Sequence, residues 1–246
     1  TRDYITAGRN LPMVVVLAMV FATWFGAETV LGISATFLEE GFRGLISDPL
    51  GASACLIAFG LIFARPLYRM NLLALGDFFR MRYNRSTELV LSVCIVLSYL
   101  GWVAAQITAL GLVFNVLSDG VVSMTGGMLI GAGVVLLYTL FGGMWSVAMT
   151  TFVQMIVIVL GLLYVTWLAG DMAGGFETVI AKAAAEGKLD FLPRLELMDM
   201  VAWIAAFATM ALGSIPQQDV FQRVNSSKNE TVAVWGTTLG GASYFL

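Results

Sequence analysis

Between Gly120 and Gly170 the chain carries no Asp, Glu, Lys, Arg or His. The hydrocarbon core of a bilayer takes about 20 apolar residues as helix, so this run holds two crossings. The Gly142-Gly143 pair is its natural division, since glycine punctuates a helical pattern. The chain as a whole is 59% hydrophobic and 12% charged, against about 25% charged in an ordinary soluble domain. In a bilayer every backbone donor and acceptor must be paired within the protein, which leaves helices or closed barrels. Runs of this length are helices. The expected class is an all-α polytopic membrane protein in the lipid bilayer.

Composition excludes several functions. A formal net charge of −3 offers no basic surface for nucleic acid. The chain has no histidine, which removes the commonest general base and the histidine metal sites. An intramembrane enzyme would need a nucleophile–base pair or clustered ligands at depth, and no such pattern stands in the apolar runs; no enzyme and no cofactor are expected. Cys55 and Cys94 lie in apolar runs and read as small buried hydrophobes.

Charges divide the chain into spans at 11–38, 49–68, 89–117, 120–141, 144–170, 200–222 and 231–246, with 171–199 as an extracytoplasmic loop containing a short helix at AKAAAEGK. The last run ends without a charge or breaker, so residues 1–246 read as a partial transporter domain, a segment of a longer polypeptide. If the spans alternate, Arg2, Arg9, Arg65, Arg69, Arg80, Arg82, Arg85, Arg223 and Lys228 share one side, and Arg43, Lys182, Lys188 and Arg194 the other. The positive-inside rule places the segment's N-terminus in the cytoplasm and residues 39–48, 119 and 171–199 outside.

Two spans are not plain. The first carries Glu28 near its middle, beside Gly26 and Thr29; an ionised carboxylate there must face protein, water or a permeation path. The sixth carries Gly213-Ser214-Ile215-Pro216-Gln217-Gln218-Asp219, where proline removes a donor and breaks the turn. Secondary transporters place solute and ion at discontinuous helices in corresponding positions of inverted repeats. If a repeat is five spans long, span six is the counterpart of span one, and the second repeat lies upside down. Span three adds Tyr99, Trp102 and Gln106, the last two on one face.

Three blocks, DYITAGRNLP with ATWFGAETVLG, LYTLFGGMWSVAMTTFVQ, and IPQQDVFQRVNSSKNE, resemble the sodium:solute symporter family in order and spacing. The pairing of ATW with the IPxQxxFQRVxSS pattern is most similar to its choline-transporting branch. The resemblance implies sodium-coupled symport of a small organic solute by alternating access at the cell membrane, in a five-plus-five inverted-repeat bundle with broken first and sixth helices, truncated within its second half. It implies sodium ligands at the Ala22 and Phe25 carbonyls, completed by an eighth bundle helix. It implies a solute site bordered by Trp24, Glu28, Trp102 and Gln217. Two positions depart from the pattern. Thr151 stands where many members have aspartate. Gln217 stands where the choline branch has a solute-contacting tryptophan, which argues for a more polar solute, carboxylate-bearing or hydrogen-bonding. The alternative is a transporter-like sensor domain fused to a signalling module such as a histidine kinase.

Overall fold

The computed structural model describes residues 2–245, and among them every regular element is helical, with one isolated bridge between Leu11 and Ser227. Three helical runs are long and apolar enough to cross a membrane: Glu28–Met70, Arg85–Leu117 and Met124–Met172. The chain is a multi-pass membrane protein of the all-α class.

A short helix α1 (Arg2–Thr6) leads to Pro12, extended at φ −74°, which caps α2 (Met13–Trp24). α2 stops at Phe25, and the chain resumes through a wide turn at Glu28–Gly32 into α3 (Ile33–Glu40). It then folds back through 41–51 into α4 (Ala52–Ala58) and α5 (Ala64–Met70). The polar connection that follows contains α6 (Leu75–Arg82), which the charge pattern does not announce. α7 (Arg85–Leu117) begins at Asn84, whose side chain accepts the Thr87 N–H at 2.9 Å. This supplies one of the acceptors a helix start requires.

α8 (Met124–Met172) contains Gly143 at φ 53°, ψ −143°, a conformation open only to glycine without strain. A Cβ there would lie 2.5 Å from the Tyr4 carbonyl oxygen. The Tyr4 hydroxyl donates to the carbonyls of Thr139 and Leu140, at 2.6 and 3.0 Å, groups in the turn before the kink. α9 (Phe176–Ala185) lies in the following loop and ends before Glu186. α10 (Leu197–Ala211) is separated by an irregular stretch from α11 (Gln218–Asn225), and α12 (Glu230–Phe245) closes the described chain.

The core sits where α12 crosses α2 and α4. Gly236 and Gly240 face Val16 and Val20, where added Cβ atoms would fall 2.8 and 2.9 Å from them. Small residues let membrane helices approach closely, and packing then replaces the hydrophobic drive that lipid cannot supply. Leu11, Met19, Leu56 and Phe221 are fully buried around this contact. α7 packs chiefly on α8, and the most apolar window of each contains no buried residue.

At the end of the bundle that carries Arg65 and Arg69, the segment before α2 acts as a strap. Leu11 N–H donates to Ser226 O at 3.1 Å and Lys228 N–H to Leu11 O at 3.0 Å. The Gln222 amide donates to Ile5 O at 3.2 Å. Arg9 lies 3.6 Å over the Tyr68 ring. Beside it Arg69 grips Glu230 with two bonds, 2.9 and 3.0 Å.

Candidate functional site

The interruption after α2 frees backbone groups that a continuous helix would pair internally. Gly26 N–H turns back to Trp24 O at 2.9 Å, so the Ala22 carbonyl loses its partner four residues on. Ala27 N–H is taken by the Gln106 side-chain oxygen at 3.2 Å. The same Gln106 donates its amide to Glu28 Oε2 at 2.5 Å, and Trp102 Nε1 donates to Glu28 Oε1 at 3.1 Å. One α7 face thus holds both the broken backbone and the mid-span carboxylate. Thr29 and Tyr244 hydroxyls approach the Trp24 carbonyl, at 3.1 and 3.3 Å, and Tyr244 donates to Asp48 Oδ1 at 2.7 Å.

The second interruption lies between α10 and α11. Gln217 is extended at φ −91°, ψ 135°, as the residue opening a helix should be. Gln218 Oε1 accepts the Leu75 N–H at 2.7 Å, which anchors α6 against α11. Asp219 N–H donates to the Tyr99 hydroxyl at 3.2 Å. Arg223 Nη1 donates to Asp219 O at 3.1 Å, one turn back along α11. Among the described residues the Gln217 amide has no hydrogen-bond partner.

A cavity of about 580 Å³ lies between the two interruptions and α7. Trp24, Glu28, Trp102 and Gln217 all line it. Four residues singled out in three separate spans thus meet at one place, whatever each does there. Ala22 and Phe25 are half-buried at the end of α2 and are not among the lining residues. The lining also includes residues that the sequence pattern does not assign to the site: Tyr99, Asp48, Asp219 and Tyr244. Asp48 is the plainest correction. Its charge suggests an outside loop, yet residues 47–51 fold back against α10, and its carboxylate meets Thr29 and Tyr244. The Asp-Pro pair heading an apolar run is the available signal, since a charge beside a breaker marks a turn that can re-enter the bundle. Cys94 is a second correction: it is exposed and lines the cavity, while Cys55 is buried.

The lining carries three carboxylates, Glu28, Asp48 and Asp219, and four aromatic rings, with no lysine or arginine. An anionic solute would meet these carboxylates without a counter-charge, so the cavity speaks against the carboxylate-bearing solute that Gln217 suggests. The Trp24 indole N–H is buried without a hydrogen-bond partner among the described residues. No group of three or more His, Cys, Asp or Glu able to hold a metal occurs among the described residues. Thr151 is half-buried in α8; its neighbour Thr150 bonds back to Ser146 and Val147, at 2.9 and 3.0 Å.

Two interrupted helices facing a shared polar and aromatic cavity are the mark of a secondary carrier, and the chain belongs to the sodium:solute symporter family, whose model matches residues 4–242. It is 32% identical over 235 residues to the high affinity choline transporter 1 of Homo sapiens, covering 93% of this chain and 39% of that one. The corresponding Torpedo marmorata transporter is 30% identical over 92% of this chain and 38% of its own length. The sodium/glucose cotransporter of Vibrio parahaemolyticus is 26% identical over 72% of this chain and 32% of its own. The chain spans about two fifths of the length of the choline transporters it matches.

Proposed function

We propose that the protein performs sodium-coupled symport of a small organic cation across the cell membrane by alternating access, within a five-plus-five inverted repeat. The observation that carries this reading is the cavity between the two helix interruptions, lined by three carboxylates and four rings with no basic side chain. Each ring face offers a cation about 0.5–2 kcal/mol. Trp24 and Trp102 supply ring faces and shape. Glu28 supplies charge, and its bonds to Trp102 and Gln106 fix its position before solute arrives. Gln217 meets a hydroxyl or carbonyl on the same solute.

The sodium cargo enters where the carbonyls of Ala22 and Phe25 leave the helical ladder. A hard monovalent cation needs several oxygens, so further ligands complete that site. Binding of both cargoes stabilises one access state over the other, which is all a ligand can do to such an equilibrium. The reading is tested with full-length protein in proteoliposomes, comparing uptake of choline-like cations, neutral solutes and carboxylates under sodium or potassium gradients. Cation uptake driven by sodium alone is expected; uptake indifferent to sodium, or selective for carboxylates, overturns it. The orientation, with the N-terminal segment and 65–85 cytoplasmic, is tested by labelling Arg80→Cys and Lys188→Cys in a cysteine-free background. Lys188→Cys should react from outside intact cells and Arg80→Cys should not.

A further inference from the structure

The turn between α6 and α7 gathers positive charge that the described residues do not neutralise. α6 runs back along the start of α7: a Cβ at Gly76 would lie 3.1 Å from Ser92 Oγ, and Arg80 Nε stands 3.7 Å from Glu88 Oε2. Tyr83 and Asn84 are therefore the tip of a helical hairpin, with the Tyr83 ring stacked on Phe79 at 6.3 Å. The tip reads Arg80-Met81-Arg82-Tyr83-Asn84-Arg85, and every residue in it is exposed. The hairpin's own carboxylates are already engaged. Asp77 accepts the Leu73 and Ala74 N–H groups, at 3.1 and 2.9 Å, and Glu88 faces Arg80. Arg82 and Arg85 have no ion-pair partner among the described residues. The positive end of the α7 macrodipole adds to the same place.

We propose that this tip holds the phosphate of an anionic phospholipid at the membrane surface. Its level in the membrane follows from length. α7 has 33 residues, about 50 Å of helix, and a bilayer with its headgroups is about 40–45 Å thick. The first turn of α7 therefore stands at the headgroup layer. Met81 and Tyr83, 70% and 65% exposed, suit the boundary between headgroup and acyl chain. Leu89 and Val96 follow Arg85 on one face of α7 and are 57% and 58% exposed, which leaves the acyl chains an apolar path. A guanidinium meets phosphate through paired N–H bonds, with a geometry no ammonium offers. Two unpaired guanidiniums, with a third shared with Glu88, match a headgroup of net negative charge. A zwitterionic headgroup would bring its own cation against them. Basic residues beside a transmembrane helix attract anionic lipid on this ground. The inference is independent of the solute and of the coupled ion; on the sidedness proposed above, the lipid belongs to the inner leaflet.

The test titrates purified full-length protein in detergent with phosphatidylglycerol or phosphatidylcholine, reading bound lipid by native mass spectrometry. A basic side chain near an anionic surface is worth roughly 5-fold in binding. Wild type is therefore expected to take its first phosphatidylglycerol roughly 10-fold or more tighter than phosphatidylcholine. The double variant Arg82→Gln with Arg85→Gln should weaken phosphatidylglycerol binding roughly 10- to 30-fold. Arg82→Lys with Arg85→Lys keeps the charge and should retain most of the preference, which separates charge from folding; thermal unfolding checks each protein. Lys182→Gln with Arg194→Gln, in the loop around α9, should leave the preference as in wild type. Inorganic phosphate in millimolar excess should not displace the lipid; competition by phosphate at equal strength assigns the tip to free anions and overturns the lipid reading. No preference for phosphatidylglycerol in wild type overturns the proposal. So does an undiminished preference in the glutamine pair, the outcome expected if the remainder of the chain covers the tip.

Discussion

The two helix interruptions face the same cavity and are built in opposite ways. Around the first, most loose groups other than the Ala22 carbonyl are taken up by the protein: Gln106 holds Ala27 N–H and Glu28, Trp102 holds Glu28, and Thr29 and Tyr244 converge on Trp24 O. At the second, Gln218 is committed to Leu75, while Gln217 offers the cavity an amide with no partner among the described residues. A polar group fastened on every side maintains a shape; one left unpaired at a cavity wall awaits something else. On the proposed reading, the first interruption acts chiefly as a scaffold with charge built in, and the second reads the solute.

That division can be broken by stability measurements. Gln106→Leu strips partners from Ala27 N–H and Glu28 together, and hydrogen bonds to charged groups are worth about 1.5–3 kcal/mol. We expect a loss of roughly 2–3 kcal/mol, read as a lower thermal midpoint of the full-length protein. Gln217→Leu should change stability by less than about 0.5 kcal/mol, the usual range for positions without such features. Equal losses in the two variants would erase the contrast.

Solute binding sharpens it from the other side. An amide that pairs with solute is worth about 1–3 kcal/mol when its partner goes unmet, so Gln217→Ala should weaken binding roughly 5- to 150-fold with the fold intact. Gln217→Trp should raise affinity for quaternary ammonium ions by completing a cage of ring faces. Unchanged affinity and selectivity in both variants removes Gln217 from the site.

The smallest effect belongs outside both interruptions. Hydrogen bonds and charge from Arg69 hold the exposed Glu230 carboxyl below its ordinary value. A depressed carboxylate contributes stability above its unfolded-state pKa and loses it as pH falls through the folded one. Glu230→Gln should therefore lower the thermal midpoint slightly at neutral pH, with the difference closing on acidification below the ordinary carboxylate range. A difference that persists in acid assigns the effect to packing. Exposed pairs are weak, so this change should stay well below that of Gln106→Leu.

What is legible in the sequence follows from what a bilayer forbids. Charge, proline or paired glycine inside an apolar run is costly, so Glu28, Pro216 with Gln217, and Gly143 stand out from their neighbours along the chain. The aromatic and amide face of α7 is readable from spacing alone, because Trp102 and Gln106 lie four apart. Asp48 is not: a carboxylate next to a turn is normally the end of a span, and only the return of 47–51 against α10 shows otherwise. Tyr244 is equally hidden, since a tyrosine in a glycine- and threonine-rich run is unremarkable until α12 is seen to cross α2. Its partners lie far away in the chain, where local pattern has no reach. The proposed inverted relation between halves rests on the correspondence of the two interruptions.

The strap beneath α2 carries a consequence for biosynthesis. Ile5 and Gln222, joined by a hydrogen bond, stand 217 residues apart in sequence. At about 5–20 residues per second of translation, the segment before α2 waits roughly 10–40 s for its docking partner to be made. Throughout that interval the backbone of Leu11 lacks Ser226 and Lys228, and Ile5 lacks Gln222. Such groups can wait in water but not in hydrocarbon. The polar run TRDYITAGRN is suited to that delay, since its backbone groups can pair with water until α11 is made.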